Sequence, residues 1–277
     1  MNIICVNGNF LDSDQPAINP LDQGLLYGFG LFETILVKEG CPSLVQHHFN
    51  RLFSCAEKIG LTIPFLISEL LWLVEQTIKK NNINTGSIRL TLTAGDDKSA
   101  TSTAPTLIIF GRQPLAYTHD HYKHGLTAGF ADTRRNEYSP LVRLKTINYL
   151  ENLLAKRYAQ TRGWDEALFF NTSGNLAEGS TSNIFLVKNG MVITPNLEQG
   201  LLPGIIRRII IEECIALGIP AEERIISEKE VWEADECFLT NSLMGVMPLV
   251  KINGNKIGNG RPGMISRTMY ERITSKK

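Results

Sequence analysis

Glu178-Gly-Ser-Thr-Ser-Asn-Ile-Phe185 sets one carboxylate ahead of four small residues, then an asparagine, then the start of an apolar strand. Small side chains beside a carboxylate leave room for a flat ligand to lie against the backbone. A carboxylate is also what a heteroaromatic nitrogen needs to stay protonated. Alone, the stretch reads as a capped turn, because Ser and Thr side chains satisfy local amides. Two other segments bear on the choice. Lys145 closes the apolar run Leu141-Val-Arg-Leu-Lys145 upstream, and Leu202-Pro-Gly-Ile-Ile-Arg207 follows downstream.

Working outward from Glu178, strands are expected at Glu166–Phe170, Asn183–Val187, Met191–Thr194, Glu236–Thr240 and Met247–Ile252, with hairpin turns at Asn189-Gly190 and Asn253-Gly254. Helices are expected at about Asn148–Arg162, with Leu150, Leu153, Leu154 and Tyr158 on one stripe, at Gly204–Leu217 and at Gly263–Ile273. Leu126–Phe130 opens this half as a strand. The N-terminal half begins with a hairpin, Ile3–Val6, Asn7-Gly8 and Asn9–Leu11. It continues with strands at Leu31–Val37, Ser87–Thr93 and Thr106–Phe110 and helices at Gln46–Lys58 and Ile67–Lys80. The polar, histidine-bearing stretch 118–125 reads as a linker between a small N-terminal domain, 1–117, and a larger C-terminal domain, 126–277. His119, His121 and His124 have the spacing of a metal half-site, but loop histidines are more often solvated, so no metal is expected. The fold class is α+β.

With 277 residues, 43% hydrophobic and 20% charged, the chain has a globular profile. Twenty-eight basic residues balance twenty-eight acidic ones, and no basic run, the terminal Lys276-Lys277 included, is longer than two residues, which argues against nucleic acid as a partner. Five scattered cysteines without a C-x-x-C pair fit free thiols in a reducing cytoplasm. The longest apolar cluster, Leu70-Leu-Trp-Leu-Val74, sits between Glu69 and Glu75, so no membrane span is expected.

A lysine, an acid for a ring nitrogen, backbone amides and a positive charge together make the set that pyridoxal phosphate needs. Lys145, read at a strand end where burial lowers its pKa, is the candidate lysine, against the alternative of a snorkelling surface side chain. Pro203-Gly204 before Ile205 and Ile206 reads as a helix start whose unpaired amides bind an anion, or as an ordinary Pro-started helix. Thr240-Asn241-Ser242 offers hydroxyl and amide donors at a strand end. Arg51 is either a surface arginine or the counter-charge of a phosphate.

In order along the chain stand Tyr27-Gly-Phe-Gly-Leu-Phe-Glu33, His48-Phe-Asn-Arg51-Leu52, Leu144-Lys145-Thr-Ile-Asn148-Tyr149, Glu178–Phe185 and Leu202–Arg207. Together they resemble the fold-type IV pyridoxal phosphate enzymes, the branched-chain aminotransferase family, nearly end to end. The resemblance implies a small N-terminal α/β sandwich, a larger C-terminal domain with a β-barrel-like sheet core flanked by helices, and a homodimer. It implies Lys145 as Schiff base and proton shuttle, Glu178 on the pyridine nitrogen and Tyr149 near the phenolic oxygen. Arg51, the Ile205 and Ile206 amides, Thr240 and Asn241 would hold the phosphate, with Ser182 and Asn183 also on the cofactor side. Tyr27, Phe32, Arg89 and Asn241 would face a small-molecule substrate. Arg89 is open to a structural reading as well.

Three activities share this frame. Phe238-Leu-Thr-Asn241-Ser-Leu-Met-Gly-Val-Met-Pro248 and Lys145-Thr-Ile-Asn-Tyr-Leu-Glu151 resemble the family's lyases. Asp97-Lys-Ser-Ala100 stands where D-amino acid aminotransferases carry Arg-x-His. The expected activity is therefore conversion of 4-amino-4-deoxychorismate to 4-aminobenzoate and pyruvate. Transamination of branched-chain or D-amino acids is the alternative.

Overall fold

The computed structural model describes residues 2–15, 18–97 and 103–275, and these divide into two compact units. Unit 1 comprises Met1–Ala116 with Leu144–Asn148, and unit 2 comprises Tyr117–Arg143 with Tyr149–Lys277. Lys98–Ala100 and Lys276-Lys277 lie outside the described residues. No helix among the described residues is long and apolar enough to cross a membrane.

In unit 1 the Asn7-Gly8 turn, with φ of 50° and 85°, joins β1 (Ile3–Val6) to β2 (Asn9–Asp12). Both residues adopt the positive φ that a two-residue hairpin requires. After α1 (Gln23–Tyr27) come β3 (Gly30–Lys38), β4 (Cys41–Pro42), α2 (Val45–Lys58), α3 (Ile67–Lys80), β5 (Gly86–Asp97) and β6 (Thr103–Arg112). The sheet runs β2-β1-β6-β5-β3-β4. Its core joins alternate residues of β3 and β5, such as Leu31, Ile35, Ile88 and Leu90, to Phe49 and Leu52 of α2 and Leu70, Val74 and Ile78 of α3. The helical periodicity of those residues is what buries one face of each helix.

β4 pairs only with Val37 and Lys38, at the far end of β3. The near end is occupied instead by residues 145–147. The Phe32 N–H donates to Lys145 O at 2.9 Å, Thr146 bridges Leu31, and the Ile147 N–H donates to Gly30 O at 3.0 Å. Among the described residues no strand leads into Lys145, which was read at a strand end. Pro140–Arg143 makes a 3-10 turn, and strand-like pairing begins only at Lys145. Pro140 favours that turn at its start.

Unit 2 contains α4 (His119–His124), β7 (Leu126–Phe130), α5 (Leu150–Thr161), β8 (Glu166–Phe170), β9 (Leu176–Gly179), β10 (Asn183–Lys188), β11 (Met191–Pro195), α6 (Ile205–Leu217), β12 (Ala221–Arg224), α7 (Glu228–Trp232), β13 (Glu236–Asn241), β14 (Gly245–Ile252), β15 (Asn255–Lys256) and α8 (Met264–Thr274). The stretch read as a linker thus holds a short helix, closed by the Thr118 amide donating to His121 Nδ1. The mixed sheet runs β12-β11-β10-β13-β14-β7-β8-β9, with β15 on β14. Only Ser180, Thr181 and Ser182 separate β9 from β10, and β9 packs against β10 and β11. The two ends of the path are therefore drawn together and the sheet curls, which accords with the barrel-like core expected. α6 and α8 pack on β13, and α5 on β8.

α5 departs from the expected packing. Leu150, Leu153 and Leu154 are exposed, while Ala155 and Ala159 are buried beside Ala167 and Phe169. Small alanines let the helix approach the sheet closely, so the leucine stripe faces away from this core.

Candidate active site

In unit 1, Lys145 hangs from the edge of β3 by the backbone pairs just described. Asn148 adds a bond from its amide to Gly28 O at 2.7 Å. Gly30 is needed here, because a Cβ would come within 2.5 Å of Leu92 O. The Lys145 ammonium lies 4.2 Å from the centre of the Phe32 ring, and the Arg89 guanidinium carbon lies 3.5 Å from the same centre. Both are cation–π distances. Phe32, Arg89 and Lys145 thus form one cluster, whereas Tyr27, at the end of α1, is 72% exposed.

One residue beyond Phe32, Glu33 is buried with His48 of α2, and the partly buried Arg51 of the same helix lies against it. Arg51 donates Nε–H to Oε1 at 2.8 Å and Nη2–H to Oε2 at 2.7 Å, and His48 Nδ1 lies 2.6 Å from Oε2. Burial raises the Glu33 pKa, but the charge and hydrogen bonds of Arg51, and then of His48, outweigh it and hold the carboxyl at about 2. Burial lowers the His48 pKa, Glu33 opposes this, and the positive charges of Arg51 and Lys145 lower it further. A neutral His48 donates Nδ1–H to Glu33. The structure therefore gives Arg51 a carboxylate partner that the sequence reading did not name.

In unit 2, β9 pairs antiparallel with β8, setting Glu178 opposite Phe169. Glu178 is buried; its Oε1 accepts from Arg135 Nη2 at 3.2 Å and its Oε2 from the Leu202 N–H at 3.0 Å. Asn183 Nδ2 reaches the same Oε2 at 3.5 Å and donates to Leu202 O at 2.9 Å. Glu166, also buried, gathers the 180–182 turn. It accepts from the hydroxyls of Ser180, of Thr181 at 2.8 Å and of Ser182 at 3.1 Å. Tyr149 OH donates to Ser180 O at 3.2 Å, and the Asn152 amide to the same oxygen at 2.7 Å. So Ser182 serves Glu166, whereas Asn183 ties the Leu202 loop to Glu178.

That loop ends at Gly204, the N-cap of α6, where a Cβ would fall 2.0 Å from Asn183 Oδ1. Ile205 and Ile206 occupy the first turn, whose amides have no acceptor within the helix. Thr240 sits opposite Asn183 in the β10–β13 register. Its hydroxyl is buried and finds no partner among the described residues. Asn241 Nδ2 donates to Thr181 O at 3.1 Å, and its Oδ1 accepts the Leu243 and Met244 amides, each at 2.9 Å.

Pyridoxal phosphate suits this donor set. A buried hydroxyl without a partner costs free energy unless a ligand takes its bond, and Thr240 is such a group. Glu178 is a buried carboxylate ringed by donors, the form that pairs a protonated ring nitrogen. Arg135, Glu166 and Glu33 were given no role in the sequence reading, although Glu33 and Glu166 end and open quoted segments. Their partners lie 43, 14 and 18 positions away.

The amino-transferase class IV family matches residues 30–252. An aminodeoxychorismate lyase of Bacillus subtilis is 32% identical over 263 residues, spanning 93% of this chain and 89% of its own. A Methanocaldococcus jannaschii protein, provisionally named a branched-chain-amino-acid aminotransferase, is 32% identical over 279 residues, spanning 98% and 94%. The crystal structure of Escherichia coli branched-chain amino acid aminotransferase superposes with a TM-score of 0.92 at 26% identity, covering 98% of this chain and 92% of that one.

Proposed function

The chain belongs to the amino-transferase class IV family, and from that membership we propose that it is the lyase that converts 4-amino-4-deoxychorismate to 4-aminobenzoate and pyruvate. Its cofactor is pyridoxal phosphate. When bound, this group supplies an electron sink for a bond broken at the amine-bearing carbon of the substrate.

Lys145 would hold the cofactor covalently, and Glu178 would face its ring nitrogen. Arg51, the Ile205 and Ile206 amides, Thr240 and Asn241 would hold its phosphate, with Tyr149 near the phenolic oxygen. Lys145 Nζ, as a free amine, takes the proton from the amine-bearing carbon. Breaking the neighbouring C–O bond would release enolpyruvate, which takes up a proton at its methylene carbon to become pyruvate, and the ring left behind is aromatic, which makes the step irreversible.

The observation that carries the lyase reading is the turn after β13. Asn241 caps the Leu243 and Met244 amides and reaches back to Thr181. The lyase-type Asn-Ser-Leu-Met sequence therefore builds a turn tied to the loop beside Glu178. The aminotransferase reading has one supporting observation, Arg89 stacked on Phe32 beside Lys145, as a site for a substrate carboxylate. The two 32% identical relatives support one reading each. A homodimer is part of the proposal, and it would cover the exposed leucines of α5. So is a cytoplasmic location, in keeping with the free cysteines.

The test supplies aminodeoxychorismate and measures 4-aminobenzoate and pyruvate. Amino acids with 2-oxoglutarate are offered in parallel. Both products in equal amounts support the lyase; glutamate formed without 4-aminobenzoate refutes it.

A further inference from the structure

Arg135 is the cation shared by two carboxylates of unit 2. It is 4% exposed and lies flat over Phe169, with its guanidinium carbon 4.1 Å from the ring centre. Its Nη2 donates to Glu178 Oε1 at 3.2 Å. Its Nη1 donates to Glu151 and reaches Asn152 Oδ1 at 3.5 Å. Its Nε is buried and has no partner among the described residues. The backbone of Arg135 is fixed by a bridge to Asn171, while Glu151 and Asn152 come from the first turn of α5. The Glu151 side chain is 43% exposed and that of Glu178 8%. The other charged pair nearby, Glu166 with Lys156 at 3.5 Å, is turned to the 180–182 loop.

A carboxylate that receives a guanidinium in full is a weak base; one that shares it with a second carboxylate stays a stronger one. We propose that Glu151, acting through Arg135, sets how firmly Glu178 keeps the proton on the cofactor's ring nitrogen. Arg135 and Glu151 are then positioning residues, and Glu151 gains a role in the lyase-type stretch that begins at Lys145. The inference rests on the reading that Glu178 faces that nitrogen. Removing Glu151 releases Arg135 to Glu178 and weakens its hold on the proton. Removing Arg135 strengthens it. The two substitutions therefore act in opposite directions, which a merely structural role would not produce.

The experiment uses the holoenzyme loaded with pyridoxal phosphate carrying nitrogen-15 in the ring, whose chemical shift reports ring protonation as pH is varied. Glu151→Gln is expected to weaken proton binding roughly threefold, since a half-exposed charge is screened. Arg135→Gln is expected to strengthen it about tenfold, the scale of one buried charge-assisted hydrogen bond. The double variant should resemble Arg135→Gln alone, because Glu151 acts only through Arg135. If Arg135→Gln does not fold, Arg135→Lys serves, with a smaller rise expected. No response to Glu151→Gln, or shifts of the same sign from the Glu151 and Arg135 variants, overturns the proposal. Glu178→Gln separates the two ideas. If it leaves the signal unchanged, the assignment of Glu178 is wrong. If it moves the signal while Glu151→Gln does not, only the role of Glu151 falls.

Discussion

Gly204→Ala tests whether the Asn183 contact shapes the start of α6. The backbone at Gly204, φ −68° and ψ 142°, accepts alanine without strain. The cost comes from the new methyl, which would lie 2.0 Å from Asn183 Oδ1 and 3.2 Å from its Cγ. The next atom, Arg207 Cβ at 3.4 Å, is an ordinary contact. The Asn183 amide must therefore swing aside. It then gives up its bond to Leu202 O at 2.9 Å and its approach to Glu178 Oε2 at 3.5 Å. Loss of one buried hydrogen bond with a carbonyl left unpaired costs about 2 kcal/mol. For a unit of this size that lowers Tm by roughly 4–8 °C. Thermal unfolding of the cofactor-free protein measures it. A double-mutant cycle with Asn183→Ala supplies the sharper test, because alanine at 204 has nothing to strike once Asn183 is shortened. Gly204→Ala should then cost less than about 0.5 kcal/mol in that background. Equal costs in the two backgrounds would refute the reasoning.

Thr240→Val removes a buried hydroxyl that lacks a partner. The cofactor-free protein should gain about 1 kcal/mol, while affinity for pyridoxal phosphate falls and that for pyridoxal does not; unfolding curves and two binding titrations check this. Lys145→Ala should abolish the yellow colour of the holoenzyme; a retained absorbance band would move the covalent attachment elsewhere. Stability should fall with acid in two stages. The depressed pKa of His48 means that the unfolded chain binds a proton first as pH drops below about 6.5. Glu33, depressed to about 2 from 4.5, contributes stability that is present above 4.5 and lost as pH falls towards 2. Melting temperatures against pH should show both stages, and His48→Asn should flatten the upper one.

The regular elements were legible wherever periodicity or turn chemistry was local. α3 was expected at Ile67–Lys80 and forms there, and the three Asn-Gly hairpins adopt positive φ as read. β9 was missed because Leu176–Gly179 is short and runs into small residues, so the Glu178 stretch looked like a turn when its first two residues are strand. Arg135 was illegible because nothing in the residues around it announces partners brought together by the curl of the sheet. The leucine stripe of α5 shows the opposite limit. Its spacing marks an apolar face, but alanines won the contact with β8, and spacing alone does not say which face a helix turns inward.

The pairing of Lys145 with the edge of β3 also bears on how the chain is made. When the first 116 residues have left a ribosome, the near end of β3 still has bare amides and carbonyls at Gly30 and Phe32, since their partners are Ile147 and Lys145. An unpaired strand edge invites the wrong neighbour. The N-terminal sheet must therefore wait through the synthesis of residues 117–143 before its last segment arrives, and that segment carries the lysine. For this protein, completing the first unit and installing the proposed Schiff-base lysine are one event, and a chain truncated at residue 116 should be prone to self-association.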